Sequence, residues 1–100
     1  LARYIIEFAF GQIYERPGLS LQERELLTLS SLLTAGGCEA QLQVHINAAL
    51  HVGIKEEKII EAFLHCIPYT GFPKVLNAVA VAGQIFSGSN RLYCLYLKYH

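Results

Sequence analysis

The segment from Gly36 to Gly53, GGCEAQLQVHINAALHVG, contains the signals of a helix start and end, many apolar residues and a few chemically reactive side chains. Glycines stand at both of its ends, and glycine is common where a helix stops. We therefore predict one helix from Cys38 to Val52. Glu39 is the only Asp, Glu, Lys or Arg in the segment. The helix is accordingly expected to pack among apolar surfaces.

Three polar side chains recur along this helix at helical spacing. Offsets of three, four and seven residues fall on one face of a helix, and Cys38, Gln41 and His45 have these offsets. We predict that they form one polar stripe. A buried polar group is costly unless it has a partner. The stripe therefore indicates a candidate functional site.

The rest of the chain also has helical patterns. Ser20 and Glu23 have the spacing of a capping box, in which each residue bonds the other's backbone at a helix start. A turn is predicted at Thr70–Pro73. The patterns predict, besides the Cys38–Val52 helix, further helices at Ala2–Glu15, from Ser20 to about Ala35, Lys55–Pro68 and from Lys74 to about Ser87. The expected fold is all-α, with about five helices.

The length of the chain predicts one domain, over residues 1–90. The segment 87–90 interrupts the helical pattern, and residues 91–100 form a tail of different composition that is rich in tyrosine. A short strand, a swapped arm and a disordered tail are all compatible with residues 91–100.

The composition predicts a homo-oligomer. Apolar residues make up 53% of the chain and charged residues only 16%, against about 25% charged in ordinary soluble domains. A monomer of 100 residues cannot bury so much apolar surface, so part of it is expected to lie between subunits. The small residues Ser30, Ser31, Ala48 and Ala49 would let neighbouring helices approach closely.

Charge and cysteine content exclude several classes. The net charge is zero without a basic run, which argues against a nucleic-acid partner. No uncharged stretch is long and apolar enough for a membrane span. The three cysteines are widely spaced, which is typical of free thiols in a reducing, cytoplasmic setting. No His/Cys spacing predicts a metal site.

Four segments together resemble the carboxymuconolactone decarboxylase family, whose fold is that of alkylhydroperoxidase D (AhpD-like): RELLTLSSLLTAGGC, QLQVHINAALHVGI, EEKIIEAFLHCIPYTGFP and KVLNAVAVAGQIF. They cover about two-thirds of the chain, from Arg24 to Phe86. The resemblance implies an all-helical bundle that assembles as a trimer or a hexamer.

The family contains two chemistries. Its peroxidase branch carries Cys-x-x-Cys with a histidine four residues after the second cysteine. Cys38 and His45 match the first cysteine and the histidine, whereas Gln41 replaces the second cysteine. The glutamate of that motif falls near Glu25, one residue further from Cys38 than in the motif. Without a resolving thiol, the usual dithiol cycle cannot run.

The decarboxylase branch lacks the dithiol, keeps the histidine and resembles this chain better. Its members decarboxylate 4-carboxymuconolactone in aromatic catabolism without a cofactor. The resemblance therefore implies a small-molecule substrate and no cofactor or metal. Reprotonation of the carbon that loses carbon dioxide needs an acid, and imidazole, which exchanges protons near neutral pH, suits that role.

Each candidate residue has a catalytic and a structural interpretation. His45 is either the proton donor or a core histidine with a partner, and Cys38 is either a reactive thiol at a helix N-terminus or a small buried hydrophobe. Glu25, rather than the capping residue Glu23, is expected to point inward toward His45. Gln41 either orients the substrate or faces a subunit interface.

Tyr69 either lines the pocket with its hydroxyl or packs beside the predicted turn. Three functions follow from these alternatives. The first is a cofactor-free decarboxylase of a small carboxylated lactone, with His45 as proton donor. The second is a thiol-dependent peroxidase that acts through Cys38. The third is an oligomeric binding module without catalysis, which is favoured if no pocket opens beside His45.

Overall fold

The computed structural model describes residues 1–86. Helices joined by turns are the only regular secondary structure in this part of the chain. The all-α prediction is confirmed for these residues. The elements in chain order are α1 (Ala2–Tyr4), a π-helical segment (Ile5–Ile13), α2 (Leu21–Ala35), α3 (Glu39–His51), α4 (Glu56–His65), α5 (Ile67–Thr70) and α6 (Phe72–Ile85). The break predicted at 87–90 and the tail predicted at 91–100 lie outside the described residues.

Helix α3 is the central element of the fold, because it packs against both α2 and α6. Leu42, Ile46 and Ala49 of α3 are buried inside one chain, and α4 also packs against α6. One contiguous core results, formed by Leu29, Leu33, Leu42, Ile46, Ala49, Ile54, Ile59, Ile60, Phe63, Cys66, Val75, Ala78, Val81, Ala82 and Phe86.

The predicted limits of α2 and α3 agree with the structure within a residue. The Ser20 hydroxyl accepts the Glu23 N–H, and the Glu23 carboxylate accepts the Ser20 N–H, so the capping box is present. Gly36 has φ +75° and Gly53 has φ +94°. These left-handed backbone angles favour glycine and end the helices before them.

The N-terminal helix differs from its prediction. The chain leaves α-helical geometry after Tyr4 and continues with the wider i→i+5 hydrogen bonds of a π-helix, such as that from the Tyr14 N–H to the Ala9 carbonyl. The wider turn places Phe10 and Tyr14, which follow Ile5 by five and nine residues, on the same side of the helix as Ile5. Nothing in the sequence of this segment accounts for the wider turn.

The prediction of one helix over Lys55–Pro68 and a turn over Thr70–Pro73 was wrong in detail. Helix α4 ends at His65, α5 covers Ile67–Thr70 and α6 begins at Phe72, so Gly71 is the one residue of the predicted turn that lies outside a helix. Pro68 can occupy the first turn of α5, where its missing N–H needs no partner. Gly71, with φ +99°, then separates α5 from α6.

Ala49 was predicted to face a neighbouring subunit, and this is wrong. It is fully buried inside the single chain, where α3 meets its neighbours. In the uncharged segments, residues 26–35 of α2 and 40–51 of α3, the large apolar residues left exposed are instead Leu27 and Val44. Among residues 1–86, no helix has the length and hydropathy that crossing a membrane requires.

Candidate functional site

The imidazole of His45 is held by a carboxylate from another helix. Nδ1 of His45, in α3, lies 3.2 Å from Oε2 of Glu25, in α2. The Glu25 side chain is only 5% exposed and that of His45 is 21% exposed. A carboxylate accepts hydrogen bonds, so Nδ1 donates in this contact. The second ring nitrogen, Nε2, is then the one left for a ligand.

His45 lines an open cleft of about 320 Å³, which we call the histidine cleft. Its apolar wall comes from the N-terminal helix and consists of Ile5, Phe8, Ala9, Phe10 and Ile13. Its polar side consists of His45, Tyr14 and Thr28. The cleft therefore offers one imidazole and two hydroxyls opposite an apolar surface.

Tyr14 connects the N-terminal helix to this site. Its hydroxyl lies 2.6 Å from Oγ1 of Thr28, which also donates to the Arg24 carbonyl at 2.8 Å. Burial of the phenol is the largest cause that raises the pKa of Tyr14 above 10.0, and the nearby Glu25 carboxylate also raises it. The hydrogen bond to Thr28 and the charge of Arg24 oppose this shift. Tyr14 therefore stays protonated at neutral pH, and its O–H donates to Thr28, because the hydroxyl proton of Thr28 is used on the Arg24 carbonyl.

A second cleft of about 330 Å³ adjoins the first, and we call it the arginine cleft. It shares Ile13, Tyr14 and Thr28 with the histidine cleft and is otherwise lined by Arg24, Leu27, Ser31 and Leu32. The Tyr14–Thr28 pair thus stands at the boundary between the two clefts.

Cys38 and His45 line different clefts. Cys38 is the N-cap residue of α3, and its thiol donates to the Gly36 carbonyl at 3.4 Å. It borders a small hollow that also includes Lys74 and Asn77. Seven residues of helix rise about 10 Å. Two residues on one helix face therefore reach separate sites when they are two turns apart.

The structure does not bring Gln41 or Tyr69 into the histidine cleft. Gln41 is exposed on α3 and lines neither cleft. Tyr69 lies in α5, is 80% exposed, and has its ring centroid 5.7 Å from that of His65. Among the residues predicted for the site, the structure joins only Glu25 to His45.

The family can now be assigned. The model of the carboxymuconolactone decarboxylase family matches residues 1–84, which include the whole histidine cleft. The chain belongs to this family. The resemblance inferred from the four sequence segments is thereby confirmed.

Two relatives of this family member have names that state an activity. It is 35% identical over 83 residues to a 4-carboxymuconolactone decarboxylase of Acinetobacter baylyi, a match that covers 83% of this chain and 61% of the relative. It is 38% identical over 77 residues to a nitrosuccinic acid decarboxylase of Metarhizium robertsii, with coverage of 77% and 53%. The chain therefore spans little more than half the length of these curated relatives.

Two residues of this carboxymuconolactone decarboxylase family member escaped the sequence analysis. Tyr14 was included only as part of a predicted helix, and Arg24 only as the start of a matching segment. Both depend on how the N-terminal helix docks on α2, which no local pattern reveals. One feature of the sequence could have drawn attention to Arg24, which is its position next to the site candidate Glu25 in α2. Within residues 1–86, no three His, Cys, Asp or Glu side chains cluster closely enough to hold a metal ion.

Proposed function

We propose that this chain catalyses the cofactor-free decarboxylation of a small carboxylic acid of the carboxylated lactone type, with His45 as the proton donor. The observation that carries the proposal is the Glu25–His45 contact beside an open cleft. Membership of the family and the two relatives named as decarboxylases support the same reaction class.

The reaction needs one bond cleavage and one proton transfer. The bond between the substrate carbon and its carboxylate breaks, carbon dioxide leaves, and the electron pair stays on the substrate as a delocalised dienolate. Protonated His45 then donates the Nε2 proton to carbon, and the imidazole regains a proton from water. Glu25 stabilises the imidazolium through Nδ1 and fixes the ring orientation.

The apolar wall of the histidine cleft assists the cleavage step. A carboxylate next to Ile5, Phe8 and Phe10 loses part of its hydration, whereas neutral carbon dioxide does not depend on hydration. The charge of the dienolate is spread over several atoms. It is therefore destabilised less by this apolar surface than the localised charge of the carboxylate.

The test compares two histidines of the same helix. We expect His45→Ala to lower kcat/KM on 4-carboxymuconolactone by roughly 10²–10⁴-fold, the usual share of general acid catalysis. His51→Ala is the matched control, because His51 is exposed on α3, and it should keep full activity. In heavy water the wild-type product should carry one deuteron at the carbon that lost carbon dioxide. Full turnover by His45→Ala on every accepted acid would refute the assignment.

A thiol-dependent activity through Cys38 is the second candidate. The observation in its favour is the position of Cys38 at the N-cap of α3, where its half-buried thiol borders a small hollow. Cys38 would react with peroxide to give a sulfenic acid and water, and an added dithiol would reduce the sulfenic acid. We expect peroxide consumption to disappear in Cys38→Ser and to persist in Cys66→Ser, whose thiol is buried. A Cys38 alkylation rate equal to that of a model thiol would argue against this activity.

A further inference from the structure

Arg24 is a buried cation without an anionic partner among residues 1–86. It is only 9% exposed, although its side chain borders the arginine cleft. Its Nη2 donates to the Arg16 carbonyl at 2.7 Å, which uses one of the five N–H groups of a guanidinium. Its Nε is buried and has no hydrogen-bond partner in the described part of the chain. Neither of the ion pairs found there involves Arg24.

Such an arrangement is expensive unless it serves a ligand. Removing a cation from water costs several kcal/mol when nothing compensates the charge, and an unpaired buried donor adds to that cost. Glu25, the adjacent residue in sequence, does not pair with Arg24, because its carboxylate is directed to His45. The guanidinium therefore keeps its positive charge available on the side of the cleft.

We propose that Arg24 forms an anion-binding subsite beside His45, which holds the carboxylate that the substrate retains after decarboxylation. The side-on edge of a guanidinium, Nε with Nη2, binds a carboxylate through two parallel hydrogen bonds. Nε is covered, so binding requires a small rotation of the flexible arginine stem toward the cleft. The hydroxyl of Ser31 lies on the same wall and can donate to the bound carboxylate.

The position of the subsite also explains how it would orient a substrate. The arginine cleft adjoins the histidine cleft at Tyr14 and Thr28, so one small molecule can occupy both. A dicarboxylic acid would place one carboxylate against Arg24 and the other against the apolar wall near His45. Only the second carboxylate is then positioned for loss.

This inference rests on the proposed function, because the bound carboxylate is part of a substrate only if the chain is a decarboxylase. Its test measures binding and needs no turnover. Succinate and butyrate have the same carbon chain and differ by one carboxylate, so they serve as probes. Binding is measured by titration calorimetry or by chemical-shift titration of the whole chain. We expect succinate to bind at least tenfold more tightly than butyrate, and Arg24→Gln to abolish that preference.

A second variant guards against misfolding of Arg24→Gln. Ser31→Asp leaves Arg24 in place and puts a carboxylate on the same cleft wall, where it competes with the ligand. We expect it to weaken succinate binding at least tenfold. Ala80→Asp makes the same charge change at an exposed position of α6 that lines neither cleft, and its affinity should stay within twofold of wild type.

The outcomes separate the subsite from the reaction. Unchanged succinate affinity in both Arg24→Gln and Ser31→Asp would overturn the subsite, as would no preference for succinate over butyrate in the wild-type chain. If the preference is present and sensitive to both variants while no acid is decarboxylated, the subsite stands and the proposed function fails. If decarboxylation needs His45, and Arg24→Gln is as fast as wild type on both mono- and dicarboxylic acids, the proposed function stands and the subsite fails.

Discussion

At the residue scale, the reactive groups of this chain are set by partners from other elements. Glu25 and His45 come from different helices, and Tyr14 meets Thr28 across the gap between the N-terminal helix and α2. A side chain alone would tolerate many orientations. Each contact selects one orientation and leaves one atom of the pair directed at the cleft, so single substitutions can test each contact separately.

Glu25→Gln tests the electrostatic part of the Glu25–His45 contact. The amide oxygen can still accept from Nδ1, but it carries no charge to stabilise the imidazolium. We expect kcat to fall by up to roughly 10²-fold, within the range of general acid catalysis, with little change in fold by circular dichroism. Glu61→Gln, at an exposed position of α4 that lines neither cleft, should keep the wild-type rate. A Glu25→Gln protein with wild-type kcat would exclude a role for the charge.

Tyr14→Phe tests the link between the N-terminal helix and α2. Loss of the hydrogen bond to Thr28 should lower the free energy of unfolding by about 0.5–1.5 kcal/mol at neutral pH. The pKa of Tyr14 is raised by burial, so its contribution is fully present below pH 10 and is lost as pH rises through the higher folded value. Chemical denaturation at several pH values measures this.

An absorbance titration provides the control for that shift. The wild-type minus Tyr14→Phe difference spectrum should show tyrosinate forming above pH 10.0, the ordinary value of the phenol. Tyrosinate formation at or below pH 10.0 would contradict burial of the Tyr14 hydroxyl against Thr28.

At the element scale, α2 supplies most of the polar groups of the site, whereas the N-terminal helix supplies the apolar wall. Arg24, Glu25 and Thr28 all lie in its first two turns, directly after the capping box of Ser20 and Glu23. The cap fixes where the helix begins, and the beginning sets the direction of every later side chain. Damage to the cap should therefore affect the site as well as the helix.

Ser20→Ala removes the side-chain acceptor at the start of α2. We expect a loss of roughly 0.5–2 kcal/mol in the free energy of unfolding, the usual cost of an N-cap replacement. Ser20→Asp should restore most of it, because aspartate is an equally good N-cap. Urea denaturation measures both variants, and equal stability of Ser20→Ala and wild type would show that the cap is dispensable.

The same cap has a pH signature. The hydrogen bond from the Ser20 N–H lowers the pKa of Glu23 below its ordinary value of 4.5. A depressed carboxyl pKa stabilises the fold above the unfolded value, and this contribution disappears as pH falls through the folded value. Glu23→Gln should therefore flatten the dependence of unfolding on pH in the acid range below about pH 4.5.

At the scale of the whole molecule, a single chain leaves much apolar surface exposed. The N-terminal helix exposes Ile6 and Phe8, and helices α2 and α3 expose Leu27 and Val44. Apolar patches of this extent are typical of protein interfaces. The prediction of a homo-oligomer, a trimer or a hexamer, therefore stands as a prediction with a defined surface.

Val44→Glu tests that surface. Val44 is 64% exposed in the single chain, so a glutamate there should not disturb the core but should disrupt an interface that buries it. We expect sedimentation at micromolar concentration to show an oligomer for wild type and smaller species for Val44→Glu. Lys58→Glu changes an exposed residue of α4 and should leave the assembly intact. A well-folded wild-type monomer would contradict the prediction.

The sequence by itself determined the local structure. Ser20 and Glu23 mark the start of α2 through hydrogen bonds within four residues, and Gly36 and Gly53 end helices by their own backbone preference. The family motifs identified His45 and Glu25 as candidates. These features need no distant partner, so they can be predicted from residue order.

Only the tertiary structure decided which candidates meet. Glu25 reaches His45 across 20 positions and Tyr14 reaches Thr28 across 14, and both contacts depend on how helices dock. Helical spacing placed Cys38 and His45 on one face, but the rise between them puts them in separate clefts. The burial of Ala49 and Arg24 was hidden for the same reason. Periodicity indicates which face a residue occupies, whereas the packing of neighbouring elements determines what covers that face.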